Sequence, residues 1–206
     1  MPRLFPIALS LSIFLSTHAP AETLGDARVG FTAERVLILD GRSYVGRMWH
    51  MPGEQRHEQD LPAVKPVLIL HADSAVGEVM LPQLHTVVEF VLPKALLLLS
   101  HLDLTKSIGQ ASIDGIATTQ YMVDDDSPEG HATGSLWLSR DGIPMRCVGK
   151  FVTKSGKLST IDWQLRHVKI GRQDAALFEV PPSYTKLPPE AVVPLLGMRI
   201  APAPAR

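Results

Sequence analysis

Cysteine is almost absent from this chain: among 206 residues Cys147 is the only thiol, so no disulfide can close within one copy and hydrophobic burial must hold the fold. Charge of one sign is missing too. Twenty Lys and Arg stand against 21 Asp and Glu, for a net charge of −1, and no segment gathers the basic residues into the stripe that phosphate backbones need. Nucleic acid is thereby excluded as an expected partner. Glycine is present but never as a phosphate cradle: neither G-x-G-x-x-G nor G-x-x-x-x-G-K-[ST] occurs, which disfavours nucleotide chemistry and predicts no cofactor. Apolar runs of membrane-spanning length are lacking as well, so no transmembrane segment is expected.

What the sequence does have begins at Met1. Arg3 gives a positive start, Leu4 to Leu15 an apolar stretch broken by Pro6, and Ala19-Pro20-Ala21 small residues ahead of Glu22. That order is the grammar of a removable export signal over 1–21, and it predicts a periplasmic or secreted protein. The remainder is of a length for one domain, read as 22–200, followed by an Ala-Pro tail at 201–206 expected to be disordered.

Alternation dominates the interior. Ile143, Met145, Cys147 and Phe151 share one parity against Arg146, Lys150 and Lys154, and Ile161, Trp163 and Leu165 repeat the arrangement after Ser155-Gly156. On this parity Cys147 reads as a packed small apolar side chain. Asp40-Gly41, Asp114-Gly115 and Asp141-Gly142 supply further hairpin turns between runs rich in β-branched and aromatic residues. The first half predicts strands near Phe31 to Leu39, Arg42 to Met51, Glu54 to Asp60, Val64 to His71, Glu78 to Leu81 and Thr86 to Leu92. In Val67 to Leu70 and Val87 to Val91 both parities are apolar, which calls for a cover on each face. The segment Pro93 to Leu104, with Leu96 to Leu99 in succession, predicts a short helix apolar nearly all round, either packed as core or acting as a lid that provides this cover. One helical turn is expected at Asp174 to Phe178 and another short helix at Pro189 to Leu196.

Candidate chemistry is sparse. His50 and His57 flank Pro52-Gly53 and are close enough to share a metal, although exposed strand histidines are the ordinary reading. The histidines at His71, His85, His101, His131 and His167 fall in no ligand spacing, so no metal site is predicted. His71, Asp73 and Ser74 have the residue types of a hydrolytic triad, but neighbours on one turn cannot point at one another, and no catalytic residue is assigned. Asp124, Asp125, Asp126 and Glu129 form an acidic loop able to hold calcium weakly or to be plainly solvated. For Trp49, Trp137, Trp163, Phe90 and Phe151, core packing is the first reading and ligand contact the second.

Taken with the signal, the meander and the leucine-rich segment, Leu136-Trp137-Leu138-Ser139, Asp141-Gly142-Ile143-Pro144-Met145 and the closing Leu177-Phe178-Glu179-Val180-Pro181 with Tyr184 resemble the LolA-like superfamily of exported proteins, within its branch of domains of unknown function. The likeness runs from about Gly30 to Leu187. It implies a mainly β fold with a few short helices (α+β): a curved antiparallel sheet forming an incomplete barrel of about eleven strands, with helices plugging the concave face. It further implies non-catalytic binding of a hydrophobic or lipid-like ligand, such as the acyl chain of a lipid or lipoprotein. The contacts expected for that ligand are Trp49, Val88, Phe90, Leu97, Leu98, Trp137, Phe151 and Trp163. The alternative is a sensor or interaction module of the same architecture with an envelope protein as its partner.

Overall fold

A computed structural model describes residues 22–189 apart from 24, 62–63, 73, 75, 92–102, 105 and 129. The expected export signal, Leu97, Leu98 and the tail at 201–206 lie outside these residues.

The strands follow the alternation closely. They are β1 (Glu22–Thr23), β2 (Phe31–Leu39), β3 (Arg42–Met51), β4 (Glu54–Gln59), β5 (Val67–His71), β6 (Val76–Leu81) and β7 (Thr86–Val91). After them come β8 (Asp103–Leu104), β9 (Lys106–Ile113), β10 (Ile116–Asp126), β11 (Gly130–Ser139), β12 (Pro144–Thr153), β13 (Leu158–Ile170) and β14 (Thr185–Lys186). Strands β1 and β8 pair by themselves. The rest form one curved, unclosed sheet of 12 strands in the order β14-β7-β6-β5-β4-β3-β2-β13-β12-β11-β10-β9. That exceeds the expected eleven or so because the two-residue β14 docks parallel on the outer side of β7, with Thr185 opposite Thr86. All other pairings are antiparallel, as a meander joined by short turns requires.

Turn chemistry sets the registers. At Asp40-Gly41 and Asp114-Gly115 both central residues have positive φ (47° and 79°; 52° and 78°), the backbone that matches the twist of a two-residue hairpin. The Asp40 carboxylate then accepts from the Thr160 N–H at 2.7 Å, and Asp114 from Val168 N–H at 3.1 Å, fixing each turn to β13. At the β11–β12 turn, Ser139 is buried and its hydroxyl oxygen accepts from the N–H groups of Asp141 (3.2 Å) and Ile143 (3.0 Å).

Register also sorts side chains onto two faces. Phe31 opposes His50, Ala33 opposes Met48, and Arg35 opposes Gly46 and Leu165, so these residues share one face, here termed the Phe31 face. Carried across the sheet, it includes Met145, Cys147, Leu136 and Val123. The opposite face carries Trp49, Arg56, Ile69, Met80, Trp137, Arg146 and Asp162. Most of the core lies on the Phe31 face. Phe31, Met48, Ile143, Met145 and Leu165 pack with Ala27, and Leu136, Leu138, Cys147 and Val123 pack with Leu104 of β8. Burying a side chain of this size is worth about 1.5–3 kcal/mol, enough for such clusters to replace disulfides.

Of the residues with apolar parity on both sides of β5 and β7, Val67, Ile69, Val87 and Val88 are buried, Leu68, Leu70 and Phe90 are half-buried, and Val91 is exposed. Among the described residues the cover on the face opposite Phe31 comes from far downstream. Val180 and Tyr184 pack over Val67, Ile69, Met80 and Val87, brought there by a 3₁₀ turn at Ala175–Phe178 in which the Asp174 carboxylate accepts from the Ala176 N–H at 3.0 Å. The helix expected at Pro93 to Leu104 falls outside the described residues except at Asp103–Leu104, which are extended in β8 rather than helical. Helices plugging a concave face are not seen among the described residues.

Candidate ligand-binding face

Of the eight residues expected to touch a ligand, register puts four on one face, two on β7 and two on β12 and β13 farther along the sheet. Val88 and Phe90 on β7, Phe151 on β12 and Trp163 on β13 all lie on the Phe31 face. Trp49 and Trp137 lie on the opposite one. Parity in the sequence does not translate into one face across a whole meander, because each hairpin and bulge resets it; opposite Trp137 and Leu138 the register skips Met145 of β12. Leu97 and Leu98 lie outside the described residues.

The Phe31 face has a second peculiarity. Gly46, Gly77, Gly130, Gly134 and Gly149 all fall on it within their strands. Neighbouring side chains lie down over the bare backbone: a Cβ on Gly77 would meet Phe90 at 2.9 Å and Leu70 at 3.0 Å. Glycines in strands mark bends and close approaches, and here they thin one face of the sheet. Leu37, Leu68, Leu70, Phe90, Phe151 and Trp163 remain half-buried along it.

A polar string crosses this apolar face. Arg35 on β2 reaches over Gly46 of β3 to β4, where Nη1 donates to His57 Nδ1 (3.1 Å) and Nη2 donates to Gln59 Oε1 (3.0 Å). His57 Nε2 then donates to Gln55 Oε1 at 3.2 Å. Burial first, and the charges of Arg35 and His50 after it, push the His57 pKa down to about 3, so the ring is neutral and its one lone pair is spent on Arg35. His50 stacks on Phe31 at 4.9 Å, with Nδ1 against Val29 O (3.0 Å) and Nε2 against Asp26 Oδ1 (2.7 Å). Burial opposes the Asp26 carboxylate, but the hydrogen bonds from His50 and Gly53 N–H and the His50 charge outweigh it and hold its pKa below the usual value.

These facts correct the reading of the two histidines as exposed: His50 is 1% and His57 9% accessible. Nor do they share a metal, since every ring nitrogen is already engaged. Among the described residues no cluster of three His, Cys, Asp or Glu is arranged to hold an ion. The acidic stretch is not a free loop either. Asp124, Asp125 and Asp126 close strand β10, and His131 sits between Asp124 (3.3 Å) and Asp126 (2.9 Å). Of the triad residue types, His71 contacts Glu54 and Glu78 and Ser74 Oγ accepts from Val76 N–H at 3.0 Å, while Asp73 lies outside the described residues. Cys147 is buried, and desolvation pushes its thiol pKa up to about 11.

On the opposite face, both tryptophans lie against arginines. Arg56 sits 5.8 Å from the Trp49 ring centre and donates to Leu177 O (2.8 Å), and Arg146 sits 5.5 Å from that of Trp137 while pairing with Asp162 at 2.9 Å. A shallow groove of about 700 Å³ runs there between Trp137, Arg146, Lys150, Asp162 and Ile38. A similar one of about 640 Å³ lies between Gly30, Pro52 and Arg172.

Arg35 and Asp26 were not among the expected site residues. A signal for Arg35 was present: it breaks the apolar parity Phe31, Ala33, Leu37, Leu39, and a cation on a core parity asks for a partner. No such signal marks Asp26, which precedes the first long strand and acquires its role only where the chain crosses His50.

No protein-family model matches the chain, and no curated protein matches it. Among solved structures it is similar to a conserved uncharacterized protein from Thermus thermophilus, with 14% identity, a TM-score of 0.52, and coverage of 78% of this chain and 90% of that one. It is similar also to MucB, at 14% identity and a TM-score of 0.51, over 78% of this chain and 60% of MucB. The chain thus spans about 60% of MucB's length. MucB has been crystallised in complex with MucA(peri). A LolA superfamily protein from Nitrosomonas europaea superposes more loosely, with 11% identity, a TM-score of 0.40, and coverage of 76% and 92%. At these identities the likeness concerns fold alone. The fold is thus shared with the Thermus protein and with MucB.

Proposed function

We propose that the chain is a non-catalytic binding protein of the periplasm that shelters a hydrophobic or amphiphilic ligand, a lipid or lipoprotein acyl chain, against the Phe31 face. One observation carries this reading: Leu37, Leu68, Leu70, Phe90, Phe151 and Trp163 are half-buried on a single face that five strand glycines thin. Each methylene taken from water gains about 0.8 kcal/mol, so a chain of a dozen or so carbons lying on such a face would be held firmly. No helix among the described residues is long and apolar enough to cross a membrane. Native mass spectrometry of protein purified without detergent is the test. An added mass of lipid size supports the reading, and a bare polypeptide that also ignores added oleate rejects it.

A second reading, an interaction or sensor module of the same architecture, is favoured by β9. It ends the sheet, and along its outer edge no strand pairs with it among the described residues, which is a template for an added strand from a protein partner. Stable capture of one extended peptide on that edge, with no lipid bound, would favour this reading over the first.

A further inference from the structure

The guanidinium of Arg35 is a half-buried cation without a salt-bridge partner among the described residues. Its two hydrogen bonds go to neutral acceptors, His57 Nδ1 and Gln59 Oε1, and its Nε is fully buried with no hydrogen-bond partner. None of the carboxylates paired among the described residues is paired with it; Glu58, next in sequence to Gln59, points to the other face and binds Arg56 at 2.7 Å. On its own face Arg35 is framed by Gly46, Leu165, Leu37 and His57, the last held neutral. A buried charge is normally retained only with an anion or a full set of acceptors, because leaving a donor of an ionised group unmade is costly.

Gly46 lies between Arg35 and Gln59 in the register. A Cβ there would collide with the Glu58 carbonyl and crowd Gln59 Oε1, the acceptor of Arg35, at 3.1 Å. The guanidinium fork is a geometry matched to carboxylate and phosphate oxygens.

We propose that Arg35 is the seat for the anionic head group, carboxylate or phosphate, of an amphiphilic guest whose hydrocarbon lies along Leu37, Leu68 and Trp163. This rests on the binding reading above and makes it specific: the protein selects charged amphiphiles over neutral ones of equal length. Gln59 and His57 hold the guanidinium in place through one N–H of each Nη atom, and the second N–H on each is left for the guest.

The test is calorimetric titration of the full chain with oleate, 1-oleoyl lysophosphatidic acid, oleyl alcohol and inorganic phosphate. Oleate or the lysophosphatidate should bind about ten-fold or more tighter than oleyl alcohol, a preference of the size that a charge-assisted hydrogen bond gives. Arg35→Gln should abolish that preference and leave oleyl alcohol binding as it was. Gln59→Glu provides a second variant, one that places a carboxylate beside the guanidinium. It should reduce anionic binding at least as much without loss of thermal stability, so a folding defect in Arg35→Gln leaves the proposal open to refutation. Equal affinity for oleate and oleyl alcohol overturns the head-group seat while leaving hydrophobic binding intact. Tight binding of phosphate alone makes the site one for a free anion and also overturns it. Failure of every lipid to bind overturns both readings.

Discussion

Arg35 donates to Nδ1 of His57 across 3.1 Å, over a strand that has no side chain between them at Gly46. Three strands are thereby tied together on the face that carries most of the core, and the tie depends on the ring staying neutral. Gly46→Val is expected to destabilise the protein by about 1–3 kcal/mol in urea denaturation, since the new side chain must push the Glu58 carbonyl aside.

His57 gives stability a definite pH dependence. Its pKa is depressed from 6.5 to about 3 on folding, so between those values the unfolded chain binds a proton that the native chain refuses. Stability therefore rises with pH through this window, is complete above 6.5, and is lost toward 3. The contribution approaches about 1.4 kcal/mol per pH unit. In His57→Gln the slope of unfolding free energy between about pH 4.5 and 6 should be shallower by up to that amount. Asp26, lowered from 3.8, adds its own loss only as pH falls below that value.

Cys147 is expected to be inert in the native protein. Its thiol is buried beside Leu136 and Trp163, with a pKa pushed up to about 11, so little thiolate exists near neutrality. Alkylation by iodoacetamide should proceed only at the rate of unfolding, and fast labelling under native conditions would contradict the packing described.

Ser139 holds the β11–β12 turn by accepting from two backbone donors. Ser139→Ala leaves both unpaired and should cost about 1–2 kcal/mol in thermal or urea unfolding. The change should speed exchange of the Asp141 and Ile143 amides more than those of β5.

Much of this fold is legible in the residues alone. Asp-Gly at 40–41 and 114–115 with alternating flanks dictates hairpins, and hairpins in series dictate a meander. The double apolar parity of Val67 to Leu70 announces a strand with one buried and one half-buried face. What covers the buried face is not legible there, because Val180 and Tyr184 act more than a hundred residues downstream, through packing that leaves no local period. The site is half legible for a related reason. Trp49 and Trp163 look alike in sequence, and only the register of β3 against β2 and of β2 against β13 separates them onto opposite faces. Arg35 shows the reverse: its break in parity is visible, yet its meaning needs Gly46 and β4 beside it.

The same separation of tryptophans offers the most direct measurement. Two variants each retain a single tryptophan, Trp163 after Trp49→Phe and Trp137→Phe, or Trp137 after Trp49→Phe and Trp163→Phe. Both would be titrated with oleate brominated along its chain, a contact quencher. Binding on the Phe31 face predicts strong quenching of Trp163 and little change at Trp137. Quenching of Trp137 alone, or of neither, would contradict the account.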